Sequence, residues 1–438
     1  MKFHNYSTNG VYSYSSPRGG WEGVINLKIM KQIFFSLAVM CVAVSAYSAD
    51  KVTLKVSNPA TVVRSNEVVE VDAKAVRQKL GTDGSVIVTD ADGNELTSQV
   101  TYDGKLIFQA SVAAKGKSVY YVKECTPKEY KKQAKGRLFT ERGDEFGWEN
   151  DRVAYRIYGH GGAVGYDLFN KSTDELMLDY WYASEQNQEM RSVSKQLHER
   201  GYHDLADQVY NAYCYHIDHG KGMDCYTVGP TLGGGANALV NADGSLCLPK
   251  CYKSYEILDN GPLRFTVKLT YPEIEYNGQK VVETRVITLD AGSLFNKVSI
   301  SYTGLTGTPN IASGVVIHQH NPAAYVISKD NGYLGYEDLG DASVYNKKYK
   351  DELARQMGKI YVGTIYADKL TEAKYQERKN GIATGHILAI APYKAGYTYY
   401  FGTAWSKNPN WGVNTLAEWE ALLSSKATKI KKPVKVSF

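Results

Sequence analysis

The sequence predicts a mainly β protein: a small N-terminal β-sandwich, then large antiparallel sheets with helical insertions. Three observations predict it. Residues 52–56, 263–269, 281–289 and 297–302 alternate apolar with polar or are β-branched. Side chains alternate in direction along a strand, so a period of two marks a half-buried sheet. Turn dipeptides punctuate these runs, among them Asp83-Gly84, Asp92-Gly93, Asp103-Gly104, Asp243-Gly244, Asn260-Gly261, Asn277-Gly278 and Asn331-Gly332, which suit tight hairpin turns. Neither βαβ alternation nor a repeat of about 20–50 residues is present, which disfavours parallel α/β folds and solenoids.

The 438 residues are 12% aromatic, 22% charged and 43% hydrophobic, a globular balance that excludes disorder, collagen and coiled coil. Residues 1–29 read as an upstream extension. Met30 and Lys31 open a second start, residues 33–44 are an apolar run, and Ser45, Ala46, Ser48 and Ala49 are small. Residues 30–48 therefore read as a secretory signal peptide, and export to the periplasm or the exterior is expected. The run is too short to span a bilayer, and no later run is long enough. Cys41 would suit a lipid anchor, but Met40 stands where such a signal wants a small residue.

Removing residues 1–48 takes away Lys2, Arg18, Lys28, Lys31 and Glu22, lowering the formal charge of +5 by three. So weak a balance argues against a nucleic-acid partner. The basic end, 426–435, reads as a solvated tail. Cys125, Cys214, Cys225, Cys247 and Cys251 remain, an odd count. Cys247 with Cys251 could bridge a turn and Cys214 with Cys225 a hairpin; buried free thiols are the favoured reading.

In chain order, residues 50–125 give the small sandwich, with strands near 52–56, 68–71, 85–88, 106–110 and 119–122. Residues 126–139 are basic and polar and read as a linker. Residues 140–438 form the large domain. Helices are expected over 185–210, 347–357 and 368–379. A last helix opens at Thr415, whose Thr-x-x-Glu capping box ends on Glu418 ahead of Trp419, Leu422 and Leu423.

Four groups of residues can carry chemistry. The first runs from Tyr213 through Cys214, His216, Asp218, His219, Lys221, Asp224 and Tyr226 to Gly233-Gly234-Gly235. A polar hairpin explains it structurally; His216, Asp218, His219 and Asp224 could ligate a metal, but their spacing matches no ligand motif. The glycines lack the Lys and Ser/Thr of a phosphate loop and read as a close backbone approach. The second is His318 and His320 at the end of an apolar strand, with His386 in another. The third is the strand holding Arg152, Arg156 and Tyr158 on one face, for which a structural ion pair is an equal alternative. The fourth is aromatic: Tyr180, Trp181, Tyr182, Tyr397, Tyr399, Tyr400, Phe401, Trp405 and Trp411. Core packing explains many of these, but flat rings also stack on sugars. The surplus of 35 Tyr over 11 Phe and 6 Trp points the same way, to a wet aromatic cleft.

The stretch Glu149-Asn-Asp-Arg-Val-Ala-Tyr-Arg-Ile-Tyr158, the segment from His216 to Gly235 and Asp259-Asn-Gly-Pro-Leu-Arg264 resemble a secreted bacterial family associated with polysaccharide breakdown. Glu283-Thr-Arg-Val-Ile-Thr-Leu-Asp290-Ala-Gly292 and Val298-Ser-Ile-Ser-Tyr302 fit the same pattern. The resemblance covers most of residues 50–438 and is more specific for fold than for reaction. It implies that the large domain is an antiparallel β-supersandwich of the galactose-mutarotase-like, polysaccharide-lyase type. It also implies β-elimination on a uronic-acid-containing oligosaccharide or polysaccharide, as a dehydratase or a lyase without a cofactor. A non-catalytic glycan-binding protein, a glycoside hydrolase and an epimerase are the alternatives.

Elimination needs a base for the proton beside the carboxylate, an acid for the departing oxygen and positive charge for the enolate-like intermediate. His216 or Tyr226 could be the base and His318 or His386 the acid. Arg156 could clamp the carboxylate, with Tyr158, Lys221, His320, Tyr400, Trp405 and Trp411 lining the substrate. Hydrolysis would need two carboxylates about 5–10 Å apart, for which Asp218, Asp224, Glu149 and Asp151 are candidates.

Overall fold

A computed structural model describes residues 50–340 and 357–438. The extension expected over 1–29, the signal peptide over 30–48 and all but the last residue of the helix over 347–357 lie outside the described residues. The chain is mainly β, 45% strand against 16% helix, and its named strands pair antiparallel.

Period-two patterning builds the sheets. In the strand Gln279–Asp290 every second residue is buried, from Val281 to Leu289. Pairing then lines up Val267, Ile287, Val298, Tyr399 and Tyr366 across five neighbouring strands, all fully buried. These belong to a nine-stranded sheet that runs from Ser254–Asn260 to Tyr325–Ser328. One large apolar core joins it to two five-stranded sheets. One of these contains Glu145–Asn150, Ala154–Tyr158 and Asp167–Lys171; the other contains Asn310–His318 and Ala383–Pro392. Each such aliphatic side chain contributes about 1.5–3 kcal/mol when buried. In front lies a smaller pair of sheets with its own core, including Leu54, Val71, Val88 and Phe108.

Several local expectations change. The basic end is not a solvated tail: Lys435–Ser437 is a strand that pairs with Val52–Ser57 and completes the front sheet. Val434 and Val436 pack on that front core, and burial lowers the Lys426 ammonium below its usual range. The helix expected over 185–210 is two, Gln188–Glu199 and His203–Tyr213, interrupted where Gly201 turns to φ 81°. Residues 372–377 are an edge strand rather than helix, paired with Ala383–Pro392. Ala134–Phe139, inside the stretch read as a linker, is a strand. The last helix, Leu416–Lys431, starts as its cap dictates, with Thr415 Oγ1 accepting from Glu418 N.

The tyrosine surplus also changes meaning. Tyr155, Tyr166, Tyr336, Tyr361 and Tyr366 are among the largest fully buried side chains. Tyr366, for example, shares hydrogen bonds with Ser313 and Thr364. Tyrosine here is largely a core residue, and hydroxyls such as that of Tyr366 tie strands together.

The glycine run behaves as a close approach. Gly233 has φ 55°, and a Cβ there would stand 2.3 Å from the Tyr166 carbonyl oxygen. Gly233→Ala is therefore expected to lower the unfolding free energy by about 2–4 kcal/mol. Gly244→Ala, at φ 82° with open space around it, should cost about 1 kcal/mol. Denaturant titration of the two variants decides this, and equal losses would show that the contact with Tyr166 is unimportant.

Candidate active site

Strand parity puts Arg156 and Tyr158 on one face of Ala154–Tyr158, and the neighbouring strands deliver carboxylates to it. Arg156 Nε bonds Asp167 Oδ2 at 2.7 Å and Nη2 bonds Asp224 Oδ2 at 2.6 Å. Nη1 reaches Tyr215 Oη at 2.9 Å and Glu145 Oε2 at 3.4 Å. The Tyr158 hydroxyl donates to Asp167, and the Tyr182 hydroxyl to Glu145 Oε2 at 2.5 Å. Burial pulls the guanidinium down, but Asp167 and Asp224 hold it far above its ordinary range. Burial raises the Asp167 carboxyl to about 6, with Asp224 pushing the same way against the pull of Arg156. Arg156 is 4% exposed and each of its nitrogens already has a protein partner. It cannot clamp a substrate carboxylate as expected, and Tyr158 is committed with it; both hold the fold.

The ion pair with Asp224 anchors the segment that follows. Asp224 N bonds Tyr215 O at 3.0 Å, and its carbonyl lies 2.8 Å from His216 Nδ1. A carbonyl only accepts, so Nδ1 carries the hydrogen; the His216 side chain is 18% exposed. Two residues on from Asp224, at most about 7 Å of chain, Tyr226 is buried and its hydroxyl has no hydrogen-bond partner. Burial, with the Asp338 charge nearby, pushes that hydroxyl well above its ordinary range, so it is a neutral phenol. Lys221 faces solvent and pairs with Glu175, away from this line. Asp218 folds its own turn by accepting from Gly220 N and Gly222 N. His216, Asp218, His219 and Asp224 therefore do not gather around one point.

Tyr226 leads to the histidine pair. Its ring lies edge-on to His318, centroids 5.4 Å apart. His318 Nδ1 is 2.7 Å from Asp338 Oδ2 and Nε2 is 2.9 Å from Thr227 O. His320 Nε2 is 2.9 Å from Asp338 Oδ1 and 3.1 Å from Leu339 O. The Tyr336 hydroxyl donates to Asp338 Oδ1 at 3.0 Å. Burial raises the Asp338 carboxyl, but His318 and His320 outweigh it and hold it well below the carboxylate range. Tyr336 and Asp338 were not singled out in the sequence. Their signal was faint: two positions of like parity in the strand Tyr333–Leu339.

His386, in the strand Ala383–Pro392 that pairs with the strand of His318, is no acid. Its Nε2 accepts from Leu232 N at 3.2 Å. Burial, then the charges of Arg378 and His318, lower it to about 3, so it stays neutral. The expected aromatic lining disperses. Trp405 is in the core, donating to Met357 O at 2.6 Å. Trp411 stacks under Arg152, 5.1 Å from its guanidinium. Tyr400 opens into a separate groove of about 690 Å³ between the front layer and the nine-stranded sheet, shared with Arg264 and Lys426. The five cysteines among the described residues are free thiols, Cys214 and Cys225 buried.

Two outcomes test this geometry. Arg156→Met strands three buried carboxylates and should cost about 3–5 kcal/mol of stability; wild-type stability would refute the network. His386 is depressed on folding, so its contribution is full above pH about 6.5 and is lost as pH falls toward 3. The stability difference between wild type and His386→Gln should shrink by about 2 kcal/mol from pH 7 to pH 5. A difference independent of pH would contradict it.

A protein of Formosa agariphila described as "Uncharacterized protein P7" is 27% identical over 318 residues, 69% of each chain. Among solved structures, an alpha-mannosidase from Enterococcus faecalis V583 matches with a TM-score of 0.45 and 9% identity, covering 94% of this chain and 48% of that one. A glycosyl hydrolase family 38 protein from Enterococcus faecalis matches at 0.42 and 8%, covering 94% and 50%. The chain spans about half the length of these two proteins. A family model described as a domain of unknown function, DUF4861, matches residues 56–436, and the chain belongs to that family.

Proposed function

We propose that the protein is a carbohydrate-active enzyme that opens uronic-acid-containing oligosaccharides by β-elimination, as a dehydratase or a lyase. The observation that carries the reading is the buried Tyr226 hydroxyl, unpartnered, on a ring that packs edge-on to His318. A buried donor without a partner costs about 1–3 kcal/mol, a strain that a substrate oxygen would relieve.

In this reading His216 Nε2 takes the C5 proton. The C–H electron pair becomes the C4–C5 double bond as the C4–O bond breaks, and the leaving oxygen takes the Tyr226 proton. The imidazolium and phenolate then return to rest by proton exchange with solvent. Because Arg156 is engaged, the His318, His320 and Asp338 cluster is the polar group left to face the sugar carboxylate. The apolar run over 33–44 supports export, with 50–125 as a front sandwich and 140–438 as the domain that carries the site. A second reading, non-catalytic glycan binding, draws support from the 690 Å³ groove with Tyr400.

Incubation with a panel of uronate oligosaccharides should give an ultraviolet-absorbing unsaturated product. Tyr226→Phe should lower kcat about 100-fold or more while the melting temperature holds. Saturated products would point to hydrolysis, and binding without turnover, unchanged in Tyr226→Phe, to the second reading.

A further inference from the structure

We propose that His318, His320 and Asp338 bind a divalent transition-metal ion of the zinc type, with its open coordination position facing Tyr226. One ligand atom from each residue lies within 4.8 Å of the others. Zinc ligands at their usual distance of about 2.1 Å stand about 3.4 Å apart, so small side-chain shifts bring these three onto one ion.

The contacts leave room for a cation. His318 Nε2 faces the Thr227 carbonyl and so carries a hydrogen, while Nδ1 lies 2.7 Å from Asp338 Oδ2. His320 Nε2 meets the other carboxylate oxygen, Asp338 Oδ1, and Leu339 O. One carboxylate thus meets a ring nitrogen from each histidine, and a single metal ion can take the place of the proton in both contacts.

The surroundings match a metal's outer shell. Ligating histidines commonly donate their second N–H to a carbonyl, as His318 does to Thr227, and ligating carboxylates accept a further hydrogen bond, as Asp338 does from Tyr336. Two imidazoles and one carboxylate suit zinc, while calcium and magnesium prefer oxygen alone. Three protein ligands leave a position for water or substrate. The unpartnered Tyr226 hydroxyl, buried beside His318, is the independent sign of a ligand on that side. The metal's role rests on the elimination reading in one respect: the ion would supply the charge opposite the sugar carboxylate that Arg156 cannot.

The test uses tag-free full chain and Zn²⁺ alone. After equilibration and desalting, about one zinc per chain is expected, and a chelator should lower the melting temperature by several degrees. His320→Asn, at a ring 37% exposed, should keep the fold and weaken zinc binding at least 10-fold; Asp338→Asn should do the same or more. Less than about 0.1 zinc per chain in the wild type, or unchanged affinity in His320→Asn, overturns the assignment. No sugar is present, so the two readings separate. Zinc-loaded protein inert on uronates upholds the metal and sinks the elimination, while turnover by protein that binds no zinc overturns the metal alone.

Discussion

A single buried guanidinium holds the centre of this molecule together. Arg156 gathers Glu145, Asp167 and Asp224 from two flanking strands and a distant loop, with Tyr215 completing its shell. A charge at that depth is tolerable only when paired and hydrogen-bonded. The requirement fixes the loop: once Asp224 is docked, its carbonyl orients His216 and the chain beyond it delivers Tyr226 to His318. Arg156 therefore acts on the site by positioning it, at the cost of its own availability to a substrate.

The same economy of buried charge recurs beside it. Asp338 is shared by two imidazoles and a tyrosine hydroxyl, and it stays ionised in an apolar setting because they surround it. His386, a short distance away with no carboxylate of its own, stays neutral instead. Two histidines in neighbouring strands thus differ in their surroundings, one beside a buried anion and one without. Glu283 and Arg285 repeat the pairing inside the core of the large sheets, closed by Asn237 and Tyr302.

Much of the fold was legible from residue pattern alone. Alternation over 281–289, the capping box at Thr415 and the glycine run all act through neighbours in sequence, so the sequence displays them. What it hid depends on distant partners. Arg156 meets Asp224 across 68 residues, and His318 meets Asp338 across 20. Parity correctly placed Arg156 with Tyr158 but could not show that the face was already filled by carboxylates. Residues 372–377 read as helix because a short edge strand lacks a long period, and only pairing with Ala383–Pro392 makes them a strand. The C-terminal lysines looked solvated because their partner strand, Val52–Ser57, lies at the other end of the described chain. The role of the aromatic residues is hidden for a related reason: composition counts tyrosines, but only packing shows which hydroxyls tie strands.

If His216, Tyr226 and the His318–His320–Asp338 cluster are the working groups, a crystal structure with an unsaturated uronate product bound will show it. The sugar ring is then expected within hydrogen-bonding distance of the Tyr226 hydroxyl, its carboxylate toward His318 and His320. A sugar seated instead in the 690 Å³ groove beside Tyr400 and Lys426, with the Tyr226 hydroxyl untouched, would contradict it.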